Sequence, residues 1–177
     1  VANATAALAV GLDLGIPSSV LSTALEHFAG ADRRFQVKGQ SHGITVIDDY
    51  GHHPTEIKAT LEAARLLGEQ RVIVVFQPHR YSRTQYCFEG FARSFYQADV
   101  VIVGDIYGAG EDPLEGVDSK RLVEAIKAHG HKNARYVGDL SRIPPVLKPE
   151  LNAGDVVITM GAGNVWKVAD ELLAILE

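Results

Sequence analysis

The sequence has little cysteine. Cys87 stands alone among 177 residues, so no disulfide can form within the chain and a reducing compartment fits. Excess positive charge is also missing: 17 Lys and Arg face 22 Asp and Glu, a formal net charge of −5. General nucleic-acid binders are usually basic, so no nucleic-acid partner is expected. A small anionic ligand stays open, because a few local arginines can hold one on an acidic protein. The longest apolar runs, such as residues 72–76 and 100–103, fall far short of the roughly 20 residues a bilayer span needs, so no membrane partner is expected either. No secretory signal is visible, and the chain opens without methionine inside what reads as a helix. A fragment is therefore expected.

Several motifs are absent too. There is no Gly-x-x-x-x-Gly-Lys-Ser/Thr loop, so the main phosphate cradle for any ATP must lie elsewhere. The dinucleotide fingerprint is missing, which argues against a nicotinamide cofactor. His52, His53, His79, Asp48 and Asp49 could in principle hold a metal. No His-x-x-x-His or Cys-x-x-Cys spacing occurs, however, and no metal ligand is assigned.

What is present is an alternation. Residues 2–15 and 17–28 read as two helices ending at glycines. Residues 35–38 and 44–48 read as a hairpin around a turn at 41–43. Helices are expected over 54–67, 84–97, 119–129 and 164–176, with a short turn at 141–147. Apolar strands are expected at 72–76, 100–103, 134–137 and 156–160. Strands that are apolar throughout belong in a parallel sheet covered on both faces. The pattern predicts an α/β, Rossmann-like doubly wound, mostly parallel sheet with an N-terminal hairpin, preceded by two helices of a neighbouring domain. Ligands in such sheets sit at the carboxyl ends of the strands. That rule should bring residues 49–53, 77–83, 104–111 and 161–164 to one rim.

Those segments hold the unusual chemistry. Asp48-Asp49-Tyr50-Gly51-His52-His53-Pro54-Thr55-Glu56 puts carboxylates, imidazoles and a phenol at a strand-to-helix turn. Carboxylates there can bind ribose or a metal. The bland alternative is a capped turn in which Asp49 bonds backbone amides. Gln77-Pro78-His79-Arg80-Tyr81-Ser82-Arg83-Thr84 offers two guanidinium groups three residues apart, suited to a carboxylate or phosphate. Its alternative is a pair of solvated arginines. The glycine-rich 104–111 loop could close over a ligand or merely connect. Gly161-Ala162-Gly163-Asn164 permits close backbone approach to a ligand. His27, His42, His129 and His131 read as surface residues.

The two long strings resemble the Mur ligases, and among them the branch that adds L-alanine to UDP-N-acetylmuramate. Arg33-Arg34-Phe35, Ala109-Gly110-Glu111, Gly161-Ala162-Gly163-Asn164 and the opening Asn3-Ala4-Thr5-Ala6-Ala7 are similar as well. The branch that recycles murein tripeptide shares this architecture but reads Asp-Asp-Phe-Ala-His-His-Pro in the first motif. Tyr50-Gly51 and Thr55-Glu56 favour the alanine-adding branch.

The resemblance implies a cytoplasmic, three-domain enzyme of peptidoglycan synthesis. Residues 1–31 would end the central ATP-binding domain, and 32–177 would form the amino-acid-binding domain. The missing N-terminal and central domains would be partners, holding most of ATP and Mg2+. The muramate carboxylate would become an acyl phosphate, which the alanine amine attacks. Asn3 would bond adenine, and Asp49 the ribose with help from Arg34. Tyr50 and His52 would shape the alanine site. Arg80 and Arg83 would hold alanine's carboxylate and steady developing charge beside His79, with His52, Arg80 and Arg83 as the catalytic group. Two other readings remain: a non-catalytic nucleotide- or anion-binding module, and a metal-dependent hydrolase.

Overall fold

A computed structural model describes residues 2–28, 30–68 and 70–177; Val1 and Ala29, inside the expected 1–31 segment, and Glu69 lie outside them. The chain divides into two compact units, Val1–Ala31 and Asp32–Glu177.

The first unit is a helical hairpin of α1 (Ala2–Asp13) and α2 (Ser18–Glu26). α1 ends towards Gly15, whose φ of 74° is open to glycine at little cost. Gly11 lets the helices close, since a Cβ there would lie 2.5 Å from Leu21 Cδ2. Within the described part of this unit only Gly11 is buried, while Val10, Leu12, Leu14 and Val20 are exposed. Among its described residues the hairpin has no core of its own.

The second unit contains β1 (Gln36–Ser41), β2 (Ile44–Asp49), α3 (Pro54–Arg65), β3 (Val72–Phe76), α4 (Tyr81–Tyr86), α5 (Phe88–Ala92), β4 (Val100–Gly104), α6 (Ser119–Ala128), β5 (Ala134–Gly138), α7 (Ile143–Leu147), β6 (Val156–Met160) and α8 (Trp166–Leu176). The strands form one sheet in the order β1-β2-β6-β3-β4-β5, antiparallel only between β1 and β2.

Side chains alternate across the pleat and so build two cores. Ile47, Val74, Val101 and Ile158 face Ile57 and Leu61 of α3, Phe91 of α5 and Leu122 of α6. Val46, Ile73, Ile102 and Val157 face Ile143 and Leu147 of α7 and Val168 and Leu172 of α8. Strands β3, β4 and β6 are buried at every residue, as sheets covered on both faces require. The last strand, β6, inserts between β2 and β3. The crevice at their carboxyl ends is therefore where the winding reverses.

Three local expectations change. The helix expected over 84–97 is two short ones, α4 and α5, starting earlier and broken at Cys87 (φ −97°, ψ 11°). The hydroxyls of Thr84 and Ser94 donate to the carbonyls of Arg80 and Gly90, an alternative to uninterrupted helix bonding. The first strand starts at Gln36, because Phe35 has φ 48°. His131 is buried rather than at the surface, bonded to the Ala98 carbonyl at 3.0 Å.

Candidate functional site

The carboxyl end of β2 is held from within. Asp48, 1% exposed, accepts from Arg33 Nε at 2.8 Å and Thr159 Oγ1 at 2.6 Å. Asp49, also buried, accepts from the backbone N–H of Phe35 and of Gly51, both at 2.8 Å, and from Thr60 Oγ1 at 3.1 Å. A Cβ at residue 51 would lie 2.6 Å from Asp49 Oδ1, so the turn needs glycine there. The bonds of the capped-turn alternative are thus present at Asp49. An ionised carboxylate has about four acceptor sites, which leaves roughly one for a ligand.

His53 N-caps α3, its ring accepting from Thr55 N–H at 3.3 Å, while Glu56 accepts the N–H groups of His52 and His53. Burial alone would raise the Glu56 carboxyl. Those two N–H groups, with the charges of His52 and Arg34, outweigh it and hold the group below its ordinary value.

Arg33 has no role in the sequence-based expectation, yet it knots this end of the sheet together. Its Nη2 and Nη1 donate to the carbonyls of Gly161 (2.6 Å) and Gly163 (3.1 Å), and its guanidinium lies 5.1 Å from the Tyr50 ring centroid. The backbone N–H of Tyr50 donates to Arg33 O at 2.6 Å. Arg-Arg-Phe before the first strand was the available signal. Nothing in that string says which arginine turns inward. Arg34 is the exposed one, 5.7 Å from the same ring.

His52 stands edge-on to Tyr50, with Nδ1 2.9 Å from the Tyr50 carbonyl. A carbonyl only accepts, so Nδ1 carries a proton, and Nε2 is the acceptor whenever the ring is neutral. His79 has the opposite arrangement. Arg83 Nη1 donates to His79 Nδ1 at 2.9 Å, which leaves Nε2 as the donor. Burial first, then the positive charge of Arg83, pushes the His79 pKa down and favours this neutral form. The two imidazole centroids lie 5.9 Å apart.

Arg80 and Arg83 have different partners. Arg83 folds back onto His79, whereas the half-exposed Arg80 reaches to within 3.9 Å of Glu111. Arg80 has φ 68° and ψ 137°, a region that side chains avoid. It is held there because its N–H donates to the Tyr107 carbonyl and its own carbonyl accepts Thr84 N–H and Oγ1. Glu111 accepts the hydroxyl and N–H of Ser82, and those bonds hold its carboxyl below the ordinary range. The glycine-rich loop is thereby pinned to the start of α4.

The 161–164 turn admits protein rather than open space. A Cβ on Gly161 would lie 2.6 Å from Gln77 O, and one on Gly163 would lie 2.4 Å from Gln77 Oε1.

Strand pairing aligns these turns. Met160 is in register with Asp49 and with Phe76, and Phe76 with Val103. Tyr50, His52, His79, Arg80 and Arg83 therefore stand at one edge of one sheet, with Asp49 and Arg34 beside them. Asn3 lies on α1 in the other compact unit, exposed. No group of three or more His, Cys, Asp or Glu is placed to hold a metal among the described residues. No helix among them is long and apolar enough to cross a membrane.

The family model described as "Mur ligase, glutamate ligase domain" matches residues 33–163. The chain belongs to this family. It is 52% identical over 175 residues to the UDP-N-acetylmuramate–L-alanine ligase of Desulfosudis oleivorans, covering 98% of this chain and 38% of that protein. It is 50% identical over 173 residues to the ligase of the same name from Solibacter usitatus, with 98% and 37% covered. Among solved structures it is similar to the UDP-N-acetylmuramate–alanine ligase of Thermotoga maritima. That match has TM-score 0.81 at 30% identity and covers 98% of this chain and 36% of that one. The chain thus spans under two fifths of these relatives, and in all three it is this Mur ligase domain and its leading helices that match.

Proposed function

We propose that the chain is the carboxy-terminal part of a cytoplasmic, ATP-dependent ligase that joins L-alanine to the carboxylate of UDP-N-acetylmuramate in peptidoglycan synthesis. The carrying observation is the pair of imidazoles 5.9 Å apart with two guanidinium groups beside them at the sheet's reversal edge. The named alanine ligases at about half identity support the substrate.

In this reading residues 1–31 end the central ATP-binding domain, and the coreless hairpin fits a piece that packs on absent structure. Asn3 meets adenine. Arg34 and the remaining acceptor site of Asp49 meet the ribose. Bound ATP with Mg2+, held mainly by the central domain, supplies phosphoryl activation of the muramate carboxylate.

This chain's residues then handle the amino acid. Arg80 and Arg83 hold the carboxylate of alanine, with Tyr50 closing the other side. His79 offers its Nε2–H to the same anion. His52 Nε2 accepts the proton the ammonium must lose before its nitrogen can attack. The nitrogen would add to the acyl carbon, the guanidinium groups would steady the negative charge on the tetrahedral adduct, and its collapse would break the bond to the phosphate oxygen, so that phosphate leaves and the nitrogen gives up its second proton. Much of the acceleration is positioning.

The test is phosphate release from ATP by the intact enzyme with UDP-N-acetylmuramate. Release should depend on alanine, and the 177-residue chain alone should yield no amide. Release indifferent to alanine would remove the reading. Preference for a murein tripeptide would move it to the recycling branch. Stoichiometric transition metal in the purified protein would favour a hydrolase.

A further inference from the structure

Tyr107 sits between two parts of the rim. Its ring is stacked on His79, with centroids 5.6 Å apart and planes 14° from parallel. The same residue walls a polar cleft of about 370 Å3, along with Gln77, Asp105, Asn164, Lys167 and Glu171. None of His52, His79, Arg80 and Arg83 lines that cleft. Tyr107 also closes tightly on the 161–164 turn, since a Cβ on Gly163 would lie 2.8 Å from its Cγ. Its backbone is fastened independently of the ring. The N–H donates to Pro78 O at 2.9 Å and the carbonyl accepts Arg80 N–H at 2.8 Å. Tyr107 thus touches both His79 and the cleft from an anchored backbone.

We propose that Tyr107 sets the size limit on the amino acid, by walling its site off from the cleft behind. This rests on the reading of His52, His79, Arg80 and Arg83 as the amino-acid site. A methyl side chain stops short of the ring. A longer one meets it and cannot enter the cleft. The cleft is rich in acceptors: Asp105, Asp139 and Glu171 line it together with Lys167, and the buried Gln77 Oε1 has no hydrogen-bond partner among the described residues. With the ring removed, the newly reachable side chains are those ending in an ammonium. One methylene more or less against an apolar wall, here the face of the ring, is worth about 10–200-fold.

The experiment compares kcat/KM for alanine, ornithine and glutamate in the intact enzyme and its Tyr107→Ala and Tyr107→Phe variants. Wild type should use alanine and reject both longer amino acids. In Tyr107→Ala the preference for alanine over ornithine should fall by about tenfold or more, the lower end of that range, with glutamate still rejected. Tyr107→Phe should match wild type. If wild type does not use alanine, the underlying reading fails. If it does and Tyr107→Ala keeps the full preference, the partition fails. Loss of all activity in Tyr107→Ala with Tyr107→Phe intact also overturns the proposal, because the ring would then serve to position His79.

Discussion

The turn after β2 and the turn after β3 carry comparable densities of charge and differ in what the charge does. After β2, the carboxylates of Asp48, Asp49 and Glu56 are spent inward on Arg33, Thr159, Thr60 and backbone N–H groups. After β3, Arg80 is half exposed with one ion-pair contact at 3.9 Å, and its backbone sits in a disfavoured region. The first turn is self-consistent and builds the rim. The second is under local strain and presents groups outward. Charged residues clustered at a strand end can thus be structural or chemical, and bond inventory separates the two where composition cannot.

The largest test of this contrast is Asp48→Ala. It leaves the Arg33 guanidinium without its buried partner and should cost about 3–5 kcal/mol of stability, read from urea unfolding. An unchanged midpoint would mean that the first turn does not depend on its inward charges. Arg80→Ala should do the reverse. In the intact enzyme, transition-state stabilisation should drop by about 2–5 kcal/mol in kcat/KM, with the unfolding midpoint barely moved. Activity within about twofold of wild type, far less than those principles imply, would make the second turn as inert as any surface. The smallest effect concerns His79. Its folded pKa is lowered, by burial first and Arg83 next, so the unfolded chain binds the proton more readily. Its contribution to stability is full above the unfolded value near 6.5 and is lost as pH falls through the folded one. Urea midpoints should therefore fall on acidification below pH 6.5, and less so in His79→Asn. Parallel curves for the two proteins would remove His79 as the cause.

The layers of the fold were legible because β3, β4 and β6 are apolar throughout and separated by helix-forming stretches. The rim followed from the rule that parallel strands deliver ligands at their carboxyl ends. What stayed hidden needed three-dimensional partners. The choice between Arg33 and Arg34 depends on a buried Asp48 and on carbonyls more than a hundred residues away. Glu111 became meaningful only through Ser82, in the first turn of α4. The two glycines of the last turn were expected to make room for a ligand, and they make room for Gln77. The break at Cys87 was invisible because the 84–97 stretch has no proline and its hydroxyl-to-carbonyl bonds are a local choice. Tyr107 gave no periodic signal at all.

The backbone at Arg80 carries one more consequence. Glycine would occupy φ 68°, ψ 137° with the least resistance, so a protein shaped for durability alone would have no side chain at this position. Here a long cation is kept in a posture that works against it. Engineering that ranks substitutions by folding free energy would be drawn to this residue early, and each such improvement would strip the rim of an exposed positive charge.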